Sequence, residues 1–230
     1  MGILGRESQR AAANRRARPF LLFAALSFSA FIALAAVIRR NHRLDADVRA
    51  TMALQRMDHP LLARLMAAVS WFGFRQQSLV LPAGIILGFA VTGNRRDARY
   101  LAIAWLGSML SYTTKLIVRR PRPNGEGINI VEADLRDSSF PSGHVLHYIS
   151  FWGFFAYLSY IRLRPKPERL VPALGVGSAI ALVGPSRVYL GHHWLTDVLG
   201  SYTLGSGFLT AMIGLHRRGA RAAAPDAGAE

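Results

Sequence analysis

Six apolar blocks, separated by short basic or proline-bearing turns, constrain this chain more than any other feature of its sequence. They run over about 19–38, 78–92, 98–118, 145–161, 170–185 and 194–215. A soluble element spreads its apolar residues at a period of two or 3.6, whereas a bilayer span needs about 20 predominantly apolar residues in a row. In hydrocarbon, only helices and closed barrels satisfy their own backbone. The blocks therefore predict an all-α fold: a polytopic membrane helical bundle of about six transmembrane helices, in which the second and fifth blocks are short.

The 230 residues read as a single membrane domain, 1–230, with a basic cytoplasmic tail at 1–18 and a disordered tail at 216–230. The first block contains Ala33-Leu34-Ala35, a candidate signal-peptidase site. A retained anchor is favoured over a cleaved signal, because a secretory apolar region usually has only about 7–15 residues. Residues 39–75 interleave charges such as Arg49, Asp45 and Asp47 with Met52, Leu54, Leu61 and Leu65. That pattern fits one or two interfacial amphipathic helices broken near Pro60, with an ordinary soluble connector as the alternative.

The formal net charge is +15, mostly from arginine. Nucleic acid, an anionic lipid surface and an anionic substrate compete to explain it. The basic residues sit mostly between apolar blocks, so membrane lipids are the expected partners and nucleic acid is not. The chain has no cysteine, which excludes disulfides and thiolate metal ligands. With a cytoplasmic N-terminus, the basic groups Arg95/Arg96/Arg99, Arg162/Arg164/Lys166/Arg169 and Arg217/Arg218/Arg221 all fall inside, while Arg39 and Arg40 oppose that orientation. The cations of the 119–139 loop and Arg187 fall on the outer side and need another explanation.

Three clusters at block ends supply one, and all three share one side of the membrane if six spans alternate. They are Lys115 to Arg122-Pro123, Pro141-Ser142-Gly143-His144, and Ser186-Arg187 to His193 and Asp197. Lys115, Arg122 and Arg187 form a group of cations that is unfavourable near a membrane unless an anion neutralises it. Arginine forks match phosphate oxygens. Ser142 and Gly143 sit where a helix begins, and the free N–H groups there favour an anion. His193 and Asp197 are spaced i, i+4, so on a helix they share a face, and His193 is the obvious partner for the carboxylate. Asp197 would then orient His193 as a nucleophile, and His144 could protonate the departing oxygen.

Taken singly, each cluster has a plain reading: a helix-surface pair, a helix start, a snorkelling basic flank. His192 lacks an acidic residue four positions on, and His42, His59, His147 and His216 read as structural or interfacial. A His/Asp metal site is the sharper competitor, but three neighbouring cations would repel the metal, so neither metal nor cofactor is expected.

Together the clusters resemble the type 2 phosphatidic acid phosphatase superfamily, or lipid phosphate phosphatases. Its pattern is Lys-x6-Arg-Pro, Pro-Ser-Gly-His and Ser-Arg-x5-His-x3-Asp, and every specified position is matched in order between Lys115 and Asp197. The resemblance implies a metal-independent lipid phosphatase in which His193 is transiently phosphorylated with the aid of Asp197. His144 would act as general acid, and Lys115, Arg122, Ser142, Gly143 and Arg187 would bind the phosphate. It also implies a site on the extracytoplasmic side, and the Arg/Ala-rich style and compact size of the chain suggest a bacterial inner (plasma) membrane. The substrate would be a lipid phosphate such as a polyprenyl diphosphate, phosphatidic acid, phosphatidylglycerol phosphate or a lipid A phosphate. A phosphotransferase using the same histidine and a non-catalytic anionic-lipid-binding protein are the alternatives. The motifs set neither the lipid nor an oligomeric state.

Overall fold

A computed structural model describes residues 3–131, 137–163 and 167–222 of the chain. Its elements are α1 (Ile3–Arg40), α2 (Asp45–Gln55), α3 (Pro60–Ser70), α4 (Arg75–Val91), α5 (Arg95–Leu106), α6 (Met109–Val118), α7 (Gly143–His147), α8 (Gly153–Arg162), α9 (Leu170–Tyr189) and α10 (Leu195–Ala222). A π-helical turn, Tyr148–Trp152, joins α7 to α8. Among the described residues there is no β-strand.

The blocks and the helices correspond with three differences. Four segments are long and apolar enough to cross a membrane: Arg18–Arg40, Arg95–Val118, Leu170–Tyr189 and Leu195–Arg218. A bent pair, Pro60–Gly73 with Arg75–Val91 at 54°, would make a fifth. The expected count of six is therefore not reached. The missing block, 145–161, is helical, but its π turn divides it and His147, Tyr148 and Trp152 dilute its hydropathy. The third block is two helices, α5 and α6, broken at Gly107-Ser108. The last helix runs through His216 to Ala222, so the first residues of the expected disordered tail are helical; residues 223–230 lie outside the described residues, as do Arg164 and Lys166 of the basic turn.

Pro60 stands at the first position of α3, where its missing N–H is not needed, and the His59 ring accepts the Leu61 N–H at 3.2 Å. The amphipathic stretch 39–75 thus yields α2 and α3. Asp47 and Thr51 of α2 are buried rather than on an outer face.

Polarity is inverted relative to a water-soluble bundle. Leu22, Leu26, Ile32, Val80, Leu87, Val91, Val171 and Leu174 are exposed, while Arg120, Arg187, His193 and Asp197 are buried. An apolar exterior of this extent is compatible with lipid and not with water. The basic ends of α5, α8 and α10 meet at one end of the bundle. There Arg162 pairs with Asp97, Arg96 donates to the His216 carbonyl, and the His216 ring lies 3.0 Å from Asp97.

Helices in lipid gain little from apolar burial against one another and rely on close packing. The α1–α10 pair shows how. Gly200, Gly207 and Gly214 recur every seven residues on α10 and face Leu34, Ser27 and Phe20 of α1, so the two helices run antiparallel. A Cβ at Gly207 would stand 3.1 Å from Ser27 Cβ and 3.3 Å from the Ala24 carbonyl oxygen. Gly207→Leu should therefore pry α1 from α10 and destabilise the protein by about 1–3 kcal/mol, read as a lower midpoint of thermal unfolding in detergent, whereas Gly175→Leu on α9, whose Cβ meets nothing within 4 Å, should leave the midpoint unchanged.

Candidate active site

The chain leaves α6 through Arg119 in the left-handed conformation, φ 51°, which turns Arg120 into the bundle. Arg120 is 1% exposed and is the centre of the polar interior. One terminal nitrogen donates to Asp197 Oδ1 at 2.5 Å and to Thr196 Oγ1 at 2.8 Å; the other donates to Asp47 Oδ2 at 2.6 Å. Its Nε donates to the His42 carbonyl at 2.9 Å. Asp47 in turn accepts the Thr196 N–H at 2.8 Å and its hydroxyl at 2.7 Å. This closed network ties α2 and the loop after α6 to the first turn of α10, and its satisfied hydrogen bonds are what make buried charge tolerable.

The α9–α10 turn is built on Gly191, at φ +70°, whose Cβ would lie 2.4 Å from the Asn129 carbonyl oxygen. The Arg187 carbonyl then accepts both the His192 and His193 N–H groups, at 3.0 and 3.2 Å. His192 reaches the Val131 carbonyl at 2.8 Å, away from the site. His193 faces a cleft of about 490 Å³, which is also lined by Lys115, Arg122, Gly143, His144 and Arg187. The structure thus brings together six of the eight residues singled out from the sequence. Asp197 stands immediately behind His193 rather than on the cleft wall. Ser142 is fully buried beneath the cleft, and its N–H, expected to be free for an anion, donates to Ser201 Oγ at 2.7 Å.

The helical register expected behind the pairing of His193 with Asp197 needs correction. Helix α10 begins at Leu195, so His193 lies in the preceding turn and the two residues do not share a helical face. Nδ1 of His193 is 3.6 Å from Asp197 Oδ2 but 2.7 Å from the Ser139 carbonyl oxygen. Both Asp197 oxygens are engaged: Oδ1 by Arg120, and Oδ2 by the Trp194 N–H at 2.9 Å, as an acidic side chain in a helix's first turn reaches back to the residue before it. A carbonyl oxygen can only accept, so Ser139 fixes the proton on Nδ1 and leaves Nε2 unprotonated, as an acceptor. Nε2 lies 3.4 Å from an Arg122 terminal nitrogen. Burial first, then the charges of Arg122, Arg187 and Lys115, hold the His193 imidazole well below its ordinary pKa, so it is neutral at neutral pH.

The cations are held from behind. Arg187 donates to Ser70 Oγ at 3.1 Å; Ser70 and Ser186 hydroxyls are 2.5 Å apart, and Ser186 donates to the Met66 carbonyl at 3.0 Å. This chain links α9 to α3. Arg122 donates to the His192 carbonyl at 2.7 Å. Lys115 and Arg122 both pair with the Asp137 carboxylate.

His144, at the start of α7, packs edge-on against Phe74, and its Nε2 has no hydrogen-bond partner among the described residues. Gly73 makes room for it: a Cβ there would fall 2.3 Å from the ring. His147, read from the sequence as structural, also lines the cleft and stacks on Phe151. Sequence reasoning missed Arg120, Asp47, Asp137, Gly73 and the Ser139 carbonyl. The partners of Arg120 lie 73 and 77 positions away, and a main-chain acceptor has no sequence signature.

A lipid-facing helical bundle with a cation-lined, histidine-bearing cleft at one end defines an integral membrane protein built to hold an anion. The family model of the PAP2 superfamily matches residues 98–220, more than half of the chain, and the chain belongs to that superfamily. It is 30% identical over 183 residues to phosphatidylglycerophosphatase B of Bacillus subtilis (strain 168), covering 77% of this chain and 87% of the relative. Among solved structures, the first transmembrane PAP2 type phosphatidylglycerolphosphate phosphatase from Bacillus subtilis matches with a TM-score of 0.70 and 26% identity, over 84% of this chain and 96% of that one. Aquifex aeolicus LpxE matches in fold, with a TM-score of 0.56 and 20% identity over 76% and 98% of the two chains. The protein is thus a membrane lipid phosphatase of the PAP2 superfamily.

Gly73→Ala tests the placement of His144. If His144 takes part in the reaction as the sequence reading expects, the substitution should lower kcat by about 100-fold, the cost of misplacing such a group by roughly 1 Å, with little change in unfolding midpoint. An unchanged kcat would show that the His144 ring position is immaterial.

Proposed function

We propose that the protein hydrolyses the terminal phosphate of a lipid phosphomonoester through a phosphohistidine at His193, without a metal, and that phosphatidylglycerol phosphate is the first substrate to test. The observation that carries this reading is the position of His193: its Nδ1 is tied to Ser139 at 2.7 Å, and its unprotonated Nε2 faces the cations, 3.4 Å from an Arg122 terminal nitrogen. The activities of the similar Bacillus subtilis proteins put phosphatidylglycerol phosphate ahead of phosphatidic acid, polyprenyl diphosphates and lipid A.

In this reading Lys115, Arg122 and Arg187 hold the phosphate oxygens and stabilise the charge that develops on them. The lone pair of His193 Nε2 attacks phosphorus as the bond to the lipid alcohol oxygen breaks. His144, protonated from solvent when the phosphate's negative charge offsets the neighbouring Arg187, gives that oxygen its proton. Water then attacks the phosphohistidine, His144 takes a water proton, the P–N bond breaks and orthophosphate leaves. Asp197 and the Ser139 carbonyl position His193 and favour the form that carries extra positive charge during transfer. Three cations beside the histidines would repel a metal ion, and among the described residues no three His, Asp or Glu side chains converge to hold one.

The basic ends of α5, α8 and α10 lie opposite the cleft. By the positive-inside rule, this reading places the cleft on the extracytoplasmic face of a bacterial plasma membrane.

Phosphate release by detergent-purified protein in EDTA, across phosphatidylglycerol phosphate, phosphatidic acid, undecaprenyl diphosphate and lipid A, should be fastest on phosphatidylglycerol phosphate. His193→Ala should reduce it by several orders of magnitude. A requirement for added divalent metal, or a rate retained in His193→Ala, would contradict the mechanism.

A further inference from the structure

We propose that Asp137 is a built-in competing anion: its carboxylate occupies the Lys115–Arg122 clamp until a doubly charged phosphomonoester displaces it, so that the singly charged phosphodiester headgroups of bulk membrane lipid are kept out. The inference rests on the reading above, in which that clamp takes the substrate's phosphate.

The geometry is that of a carboxylate seated between two cations on the cleft wall. Asp137 Oδ2 pairs with Lys115 Nζ and Oδ1 with an Arg122 terminal nitrogen, while Arg122 Nε donates to the Asp137 carbonyl at 3.0 Å. The two cation side chains are 12% and 13% exposed, whereas the Asp137 side chain is 55% exposed. The cations are thus fixed parts of the cleft wall, and the carboxylate rests on them from the solvent side. The same guanidinium that holds Asp137 lies 3.4 Å from His193 Nε2, so an anion bound there is next to the nucleophile. Burial alone would raise the Asp137 pKa, but the hydrogen bonds and charges of Lys115 and Arg122 prevail and hold it at about 2, so the group is charged at neutral pH. The third cation, Arg187, is held by Ser70 and has no carboxylate partner among the described residues.

Exchange of anions then discriminates by charge. A phosphodiester carries one negative charge, as Asp137 does, and it arrives without the carboxylate's covalent tether. It gains little by replacing Asp137. A phosphomonoester carries about −1.5 to −2 charges and three terminal oxygens, enough to engage Lys115, Arg122 and Arg187 together. An enzyme embedded in phosphodiester lipid needs such a filter, because a bare clamp would be occupied by its surroundings. After hydrolysis, the returning carboxylate also helps to expel orthophosphate.

The test compares wild type, Asp137→Asn and Asp137→Glu, with thermal unfolding confirming that all three are folded. Inorganic phosphate binding is measured by calorimetry on detergent-purified protein. Hydrolysis of phosphatidylglycerol phosphate is measured in vesicles of rising phosphatidylglycerol content in phosphatidylcholine. Asp137→Asn should bind inorganic phosphate about tenfold more tightly, two surface-type ion pairs having been removed from competition. Its hydrolysis should fall as phosphatidylglycerol rises, whereas wild type and Asp137→Glu hold their rates. Equal phosphate affinity and equal phosphatidylglycerol sensitivity in wild type and Asp137→Asn would overturn this inference alone. Absence of phosphate binding in every variant would overturn both it and the clamp reading.

Discussion

The buried guanidinium of Arg120 is the contact on which the rest of this site depends. It bridges two carboxylates, Asp47 and Asp197, from segments that share no helix, and each carboxylate spends its second oxygen on a backbone N–H of the α10 start. A lone charge in this interior would cost several kcal/mol, so the three groups are stable only as a set. Bringing them together fixes the loop after α6 against the head of α10. Arg122, two residues on, and His193, two residues before α10, are placed by that junction. The carboxylate that the sequence spacing assigns to the histidine is thus first of all the anchor of the loop that carries Arg122.

A second constraint follows from the membrane. The bundle presents leucine, isoleucine and valine outward and buries charge at both ends, around Asp97 at one and around Arg120 and the cleft at the other. Lys115, Arg122 and Arg187 come from three separate segments and line one cleft, with Asp137 as the carboxylate partner of the first two. The surplus of positive charge explains the basic residues that the positive-inside rule leaves unaccounted for. In the proposed reading a phosphate group restores the balance, next to the unprotonated Nε2 of His193, which lies 3.4 Å from Arg122.

Much of this was legible in the sequence, for specific reasons. The chemical groups stand at the ends of apolar blocks in short linear motifs, so their identity and their convergence could be read without coordinates. The bonding between them could not. His193 is oriented by the carbonyl of Ser139, and a backbone acceptor leaves no mark in a sequence. Arg120 sits in a run of arginines that reads as a basic flank, and nothing in residues 39–75 singles out Asp47 as its partner. The seven-residue recurrence of Gly200, Gly207 and Gly214 was visible but has meaning only once α1 is known to lie against it. The count of six spans is not confirmed where the chemistry intrudes: the block that follows His144 carries polar and aromatic groups, His147 among them, and a π turn, and does not pass as a simple crossing.

The measurement that bears most directly on the central claim is rapid acid-free quench of the protein reacting with phosphatidylglycerol phosphate labelled in its terminal phosphate, followed by peptide mapping under alkaline conditions. The account predicts label on the peptide containing His193, stable to base and lost in acid, appearing before free phosphate and absent from His193→Ala. Label on a carboxylate such as Asp137, or release of phosphate with no labelled protein at any time point while turnover proceeds at its full rate, would contradict it.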